Sequence, residues 1–184
     1  IRAKRGWHWP DFREIAAYRE LLWVLAVRDV RVRYKQAALG ATWALIRPLM
    51  QMVIFTLLFG KLAKIPSDGI AYPVFVFAGL LPWTFFANTV SASSGSLVAS
   101  SNLISKVYFP RLIVPAASTG ASLVDFLVSL GLLALMMLWY GIGFQASVLL
   151  APLLILGMLV LALGVGTLLA ALSVTYRDVA QIVP

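Results

Sequence analysis

Between Gly69 and Ser105 the chain carries no charged residue. A bilayer-crossing helix needs about 20 consecutive, mostly apolar residues, more than a helix in a soluble core requires. The pattern repeats further on. From Leu112 to Tyr176 the only charge is Asp125. Over its 184 residues the chain is 61% hydrophobic and 12% charged, against about 45–50% and about 25% for soluble domains. These runs predict an all-α membrane protein with several spans.

The charge that remains is unevenly placed. Nine of the fifteen Lys and Arg precede residue 36: Arg2, Lys4, Arg5, Arg13, Arg19, Arg28, Arg31, Arg33 and Lys35. A net charge of +8 is compatible with nucleic-acid binding. Here, however, the basic block directly precedes an apolar span, and a cytoplasmic flank facing anionic lipid is the better reading. No nucleic-acid partner is expected. The absence of cysteine excludes disulfides, thiolate metal sites and thiol catalysis. The start is polar and basic, without an apolar signal segment. A chain running from Ile1 to Pro184 reads as a fragment of a longer polypeptide.

Taken in order, residues 1–38 form a basic tail and an amphipathic interface helix. Trp7 and Trp9 suit headgroup level, and His8, the single histidine, has no second metal ligand nearby. Asp11 and Glu14 fit a capping box. In Arg19–Lys35, helical spacing places Trp23, Val27, Val30 and Tyr34 on one face and Arg28, Arg31 and Lys35 on another. With Arg33, these basic residues would meet headgroups or a partner, the helix lying in the interface plane.

Residues 39–184 form the transmembrane domain, with spans expected at about 39–62, 72–100, 112–140 and 148–174. Arg47 lies within the first, free to snorkel or pair. Pro48 and Pro82 should bend their helices. In the second span Thr84, Asn88, Ser91 and Gly95 recur at helical spacing, beside Thr89, Ser93, Ser96 and Ser100. Such residues serve close packing or line a wet pathway. Asp125, in the middle of the third span, should face protein and pair with a hydroxyl, an amide or a base. Gly157, Gly164 and Gly166 predict tight packing of the fourth. The tail, Lys106, Arg111 and Arg177 fall on one side of the bilayer and Lys61 and Lys64 on the other, which puts the N-terminus in the cytoplasm.

Segment 101–110 joins spans two and three on the basic side. Asn102 is placed to cap a short helix, with Leu103, Ile104 and Val107 on one face. Pro110 stops it and Arg111 anchors the chain at the headgroups. An apolar face outside the bilayer needs either lipid or a partner surface.

No phosphate-binding loop, metalloprotease motif, paired catalytic carboxylates or nucleophile elbow is present. An enzymatic role is not expected, and energy for transport would come from a gradient or a partner.

Several pieces in fixed order are similar to a known family. They are RDVRVRYKQAALGATWALIRPL, the LFG ending the first span, GLLPWTFF, NLISKVYFPRLIVP, the DF of the third span and the closing YRDV. Together they resemble the permease subunit of ABC-2-type transporters, specifically those exporting polysaccharide such as O-antigen, capsule or teichoic acid. The resemblance covers nearly the whole chain. It implies six spans in the complete family fold, of which four lie here, and a multi-pass protein of the bacterial cytoplasmic (inner) membrane. It implies a homodimer around a central channel and two separate ABC ATPase subunits that hold ATP and Mg, this chain carrying no cofactor of its own. The cargo would be a lipid-linked polysaccharide. The interface helix and Asn102, Leu103, Ile104, Ser105, Lys106, Val107 and Tyr108 would contact the ATPase. Aromatic side chains would guide the sugars, and Phe55 with Phe59 and Trp83 with Phe86 share helix faces suited to this; these rings equally suit a lipid-facing surface. An ABC-2 exporter of drugs or lipids, or an anchor subunit without transport, would share much of this architecture.

Overall fold

The computed structural model describes residues 12–35, 42–62, 66–67, 69–143 and 146–176, and among them every regular element is helical. The tail with Trp7, His8 and Trp9, the capping Asp11, the entry to the first span at 39–41, the turn at Lys64 and Asp68, and Arg177–Asp178 lie outside the described residues. A short helix α1 (Phe12–Ala17) leads into α2 (Arg19–Lys35), then α3 (Thr42–Phe55), which continues as wider π-type turns over Thr56–Leu62. Next come α4 (Tyr72–Ala99), the short α5 (Ser101–Lys106) and α6 (Ile113–Trp139). One 3₁₀ turn (Ala146–Leu150) precedes α7 (Ala151–Thr175).

Among the described residues three helical stretches are long and apolar enough to cross a membrane: Tyr72–Ala99, Ile113–Trp139 and Val148–Thr175. The expected first span is a shorter apolar stretch, Leu45–Gly60. Its α-helical part gives way to π-type turns at Thr56, and its expected entry at 39–41 lies outside the described residues. Pro48 and Pro82 both stand inside continuous helices. Pro73, in the first turn of α4, costs no hydrogen bond because the first N–H groups have no intrahelical acceptor. α6 closes with Gly141 at φ +67°, Ile142 N–H reaching Met137 O at 2.9 Å and Gly141 N–H reaching Leu138 O at 3.2 Å. That pair of bonds is a Schellman stop, and glycine meets the left-handed φ it requires.

α4 is the centre of the bundle, packed on α3, α6 and α7, while α2 lies on α6. Small residues make the α4–α7 contact close. A Cβ on Gly166 would fall 2.5 Å from Ser93 Cβ, and Ala162, Ala170 and Ser173 are buried on the same stripe of α7. In a bilayer, where lipid tails are as apolar as leucine, such close approach supplies the packing that hydrophobic exclusion cannot. Gly157 and Gly164, expected to share this role, have open space where a Cβ would stand. They lie off the stripe that faces α4.

Two apolar cores result. One gathers Phe77, Leu81 and Phe85 of α4 with Phe126 of α6, the Phe85 and Phe126 rings 4.7 Å apart between centroids. The other joins Leu25 of α2 to Phe109, Ile113, Val114 and Ala117, with Leu103 and Ile104 of α5 against it. α2 runs beside α6 in the same direction. Leu25 meets the start of α6, Ala26 sits 3.0 Å from where a Gly120 Cβ would be, and Arg33 reaches Asp125. The packed face of α2 is therefore Leu21, Leu22, Leu25 and Ala26, with Tyr18 just before the helix. Trp23 and Val24, on the expected apolar face or next to it, are exposed. The helix carries apolar residues on both sides, which is why its charge pattern alone misplaced the contact.

Candidate functional site

A lone carboxylate in an apolar helix must find a cation or donors, because leaving it unpaired away from water is costly. Asp125 finds both at the end of α2. Its Oδ2 accepts from Arg33 Nη1 at 2.7 Å, and its Oδ1 accepts from the Tyr34 hydroxyl. Ser129, one turn on, donates to the Asp125 backbone carbonyl at 2.9 Å. Burial first, and then the hydrogen bond to Asp125 and its charge, push the Tyr34 phenol above its ordinary value. It therefore stays protonated and remains a donor.

This cluster forms one wall of a cavity of about 300 Å³ between the end of α2 and helices α3, α4 and α6. Trp43, Arg47 and Gln51, each four residues apart on α3, also line it. The Arg47 guanidinium carbon lies 5.8 Å from the centroid of the Trp43 ring. α4 contributes Thr84 and Asn88, and α6 contributes Ser122. The Thr84 hydroxyl is spent on the carbonyls of Leu80 and Leu81 at 2.9 and 3.0 Å. The polar stripe read along α4 thus divides. Thr89, Ser93 and Ser96 are buried in helix contacts, whereas Thr84 and Asn88 face the cavity.

Of the basic residues read on the interface helix, Arg33 is drawn to Asp125 and Arg28 pairs with its neighbour Asp29 at 2.8 Å. Arg31 and Lys35 are exposed. In the 101–108 segment, Asn102 is not the cap. The helix begins at Ser101, with Ser100 in the cap position and no side-chain capping bond. Asn102 instead offers its carbonyl to Ser105 Oγ at 3.1 Å. Leu103 and Ile104 are half-buried on the chain's own core, so part of the face expected to need a partner is already covered. Asn102, Ser105, Lys106, Val107 and Tyr108 are exposed. Phe55 and Phe59 pack ring to ring, 5.5 Å between centroids. Trp83 is exposed and Phe86 half-buried. None of these four rings lines the cavity; its aromatic residues are Tyr34, Trp43, Phe85 and Phe126.

Sequence reasoning passed over Trp43, Gln51, Ser122 and Ser129, and put Tyr34 with Trp23. The spacing of Trp43, Arg47 and Gln51 was the available signal: a polar stripe at i, i+4 and i+8 in an apolar segment.

A profile of the ABC-2 type transporter family matches residues 20–184. The chain is 34% identical, over 173 residues, to the O-antigen export system permease protein RfbA of Myxococcus xanthus; the match covers 93% of this chain and 65% of that protein. It is 29% identical to a protein of the same name from Klebsiella pneumoniae, over 89% of this chain and 63% of the other. With the Polysialic acid transport protein KpsM of Escherichia coli it shares 25% identity, over 87% of this chain and 62% of that one. The chain thus spans somewhat less than two thirds of the length of these relatives. A family profile that runs from the second residue of α2 to the end of the sequence, over a bundle of apolar helices, settles the family: the chain belongs to the ABC-2 type transporters.

Proposed function

We propose that this chain is the membrane-spanning permease subunit of an ATP-driven exporter that carries a lipid-linked polysaccharide, of O-antigen, capsule or teichoic acid type, across the cytoplasmic membrane. The observation that carries the reading is the 34% identity to a named O-antigen export permease over 93% of the chain. A second named polysaccharide transport protein along the same residues supports it.

The reading gives each part a role. The N-terminus and α5 lie on the cytoplasmic side, where Lys and Arg concentrate. The stretch 42–62 serves as the first of four spans. Two copies pair, and a separate ATPase with ATP and Mg docks on the exposed side of α5, at Ser105, Lys106, Val107 and Tyr108. Because Leu103 and Ile104 share one core with Leu25 and Ile113, a push on α5 would reach α2 and α6 together. Packed cores shift as units rather than deform smoothly. The exposed Trp83 and half-buried Phe86 are the candidates to face the glycan path between copies.

Deleting the gene in its host should abolish surface polysaccharide while lipid-linked polymer accumulates inside, and the full-length gene should restore both. Normal surface polysaccharide in the deletion strain, together with lost export of a drug or lipid, would replace this reading with that of a general exporter. Failure of any ATPase to copurify would point to an anchor subunit.

A further inference from the structure

Three helices that are otherwise apolar turn polar where they meet. A polar atom in such a place has a cost unless it is satisfied. Asp125 is satisfied by Arg33 and Tyr34. Two other groups are not. Arg47 forms no ion pair among the described residues, its guanidinium resting beside Trp43. Ser122 lines the cavity, is 1% exposed, and its hydroxyl has no hydrogen-bond partner among the described residues. With Arg33 neutralised by Asp125, the cavity keeps one positive charge and one buried donor unspent.

We propose that this cavity binds a phosphate-bearing headgroup, a phosphate ester held by Arg47 and Ser122, with Trp43 as its flat wall. The guanidinium presents a planar fork of N–H donors that matches two phosphate oxygens at once, which a point charge cannot do. The indole face beside it holds the guanidinium by cation–π attraction without consuming its donors. Asn88 and Gln51 stand at the cavity wall as further donors. A volume of about 300 Å³ is at the low end for small-molecule sites, which run from about 300 to 1,000 Å³. It takes a headgroup rather than a polymer. The inference rests on the cavity and not on the cargo or direction of transport. Binding can therefore fail while the export reading stands, and export can fail while binding stands.

The test uses the full-length protein in neutral detergent micelles and counts bound lipid by native mass spectrometry. The probes are phosphatidylglycerol, phosphate-free diacylglycerol and inorganic phosphate as competitor. The wild type should retain phosphatidylglycerol and not diacylglycerol. Arg47→Gln should weaken retention at least about tenfold, the scale of a lost charge-assisted bidentate contact. Arg47→Lys should fall between, and Arg19→Gln on the exposed start of α2 should match the wild type. Displacement of the lipid by inorganic phosphate identifies a site for the phosphate alone; retention in its presence identifies a lipid site. Ser122→Ala removes a hydroxyl that is unpaired without ligand, so it should keep or raise thermal stability while weakening retention. Equal retention of diacylglycerol, or equal loss in Arg19→Gln, would overturn the proposal. So would unchanged retention in Arg47→Gln or, if that variant does not fold, in Ser122→Ala.

Discussion

Replacing Asp125 by asparagine keeps the shape of the side chain and removes its charge. Two contacts change. The ion pair with Arg33 is lost, and the Tyr34 hydroxyl then donates to a neutral carbonyl instead of a carboxylate. Exposed ion pairs contribute about 0.2–1 kcal/mol, and removing one partner of a buried pair costs about 3–5 kcal/mol. The Arg33 and Asp125 side chains are 41% and 27% exposed, which places this pair toward the surface end, near 1 kcal/mol. Hydrogen bonds to charged groups are worth about 1.5–3 kcal/mol and neutral ones about 0.5–1.5, so the weakened Tyr34 bond adds about another 1 kcal/mol. Asp125→Asn should therefore destabilise by about 2 kcal/mol. The assay is denaturation of the full-length protein in mixed micelles, run as a cycle with Arg33→Gln and the double variant. The coupling energy should be near 1 kcal/mol, whereas independent sites add to within about 0.3–0.5. A cycle that closes within that margin would refute the claim that this pair ties α2 to α6. Export measured across pH separates the other reading: an unchanged rate with a lost pH response would make Asp125 a proton carrier.

Gly166→Val should destabilise by about 2–4 kcal/mol because the new side chain meets Ser93 on a packed helix. Gly157→Ala and Gly164→Ala, with open space around them, should stay within about 1 kcal/mol of wild type, a gain in helix propensity included; the same micelle denaturation reads all three. Leu103→Asp places a charge against the apolar core around Leu25, Phe109 and Ile113 and should lower the amount of folded protein, whereas Tyr108→Asp, on an exposed side chain, should fold normally and lose copurification with the ATPase. In this cysteine-free chain an impermeant thiol reagent applied to intact cells should label Ser67→Cys and spare Ser105→Cys; the reverse pattern would invert the topology.

Hydropathy and charge determined most of the architecture. The stretch without charge from Gly69 to Ser105 contains the whole of α4, and the one from Leu112 to Tyr176, with Asp125 as its one charge, contains α6 and α7, because a helix in lipid must satisfy its backbone internally. Asp125 announced itself as a group in need of a partner, since one carboxylate between Arg111 and Arg177 stands out in any reading. What the pattern could not supply was the partner. Arg33 and Asp125 are 92 positions apart, and nothing local to α2 separates Arg33 from Arg28, Arg31 or Lys35. That choice belongs to the way α2 lies along α6, set by Leu25, Ala26 and the missing side chain of Gly120. The same holds for the glycines of α7, where one of three meets α4, and for α5, whose apolar residues fold onto the chain itself. Composition determines which segments leave water, because transfer energy depends on each residue alone. Which faces then meet depends on shape and on pairs of atoms distant in sequence, and only the packed structure decides that.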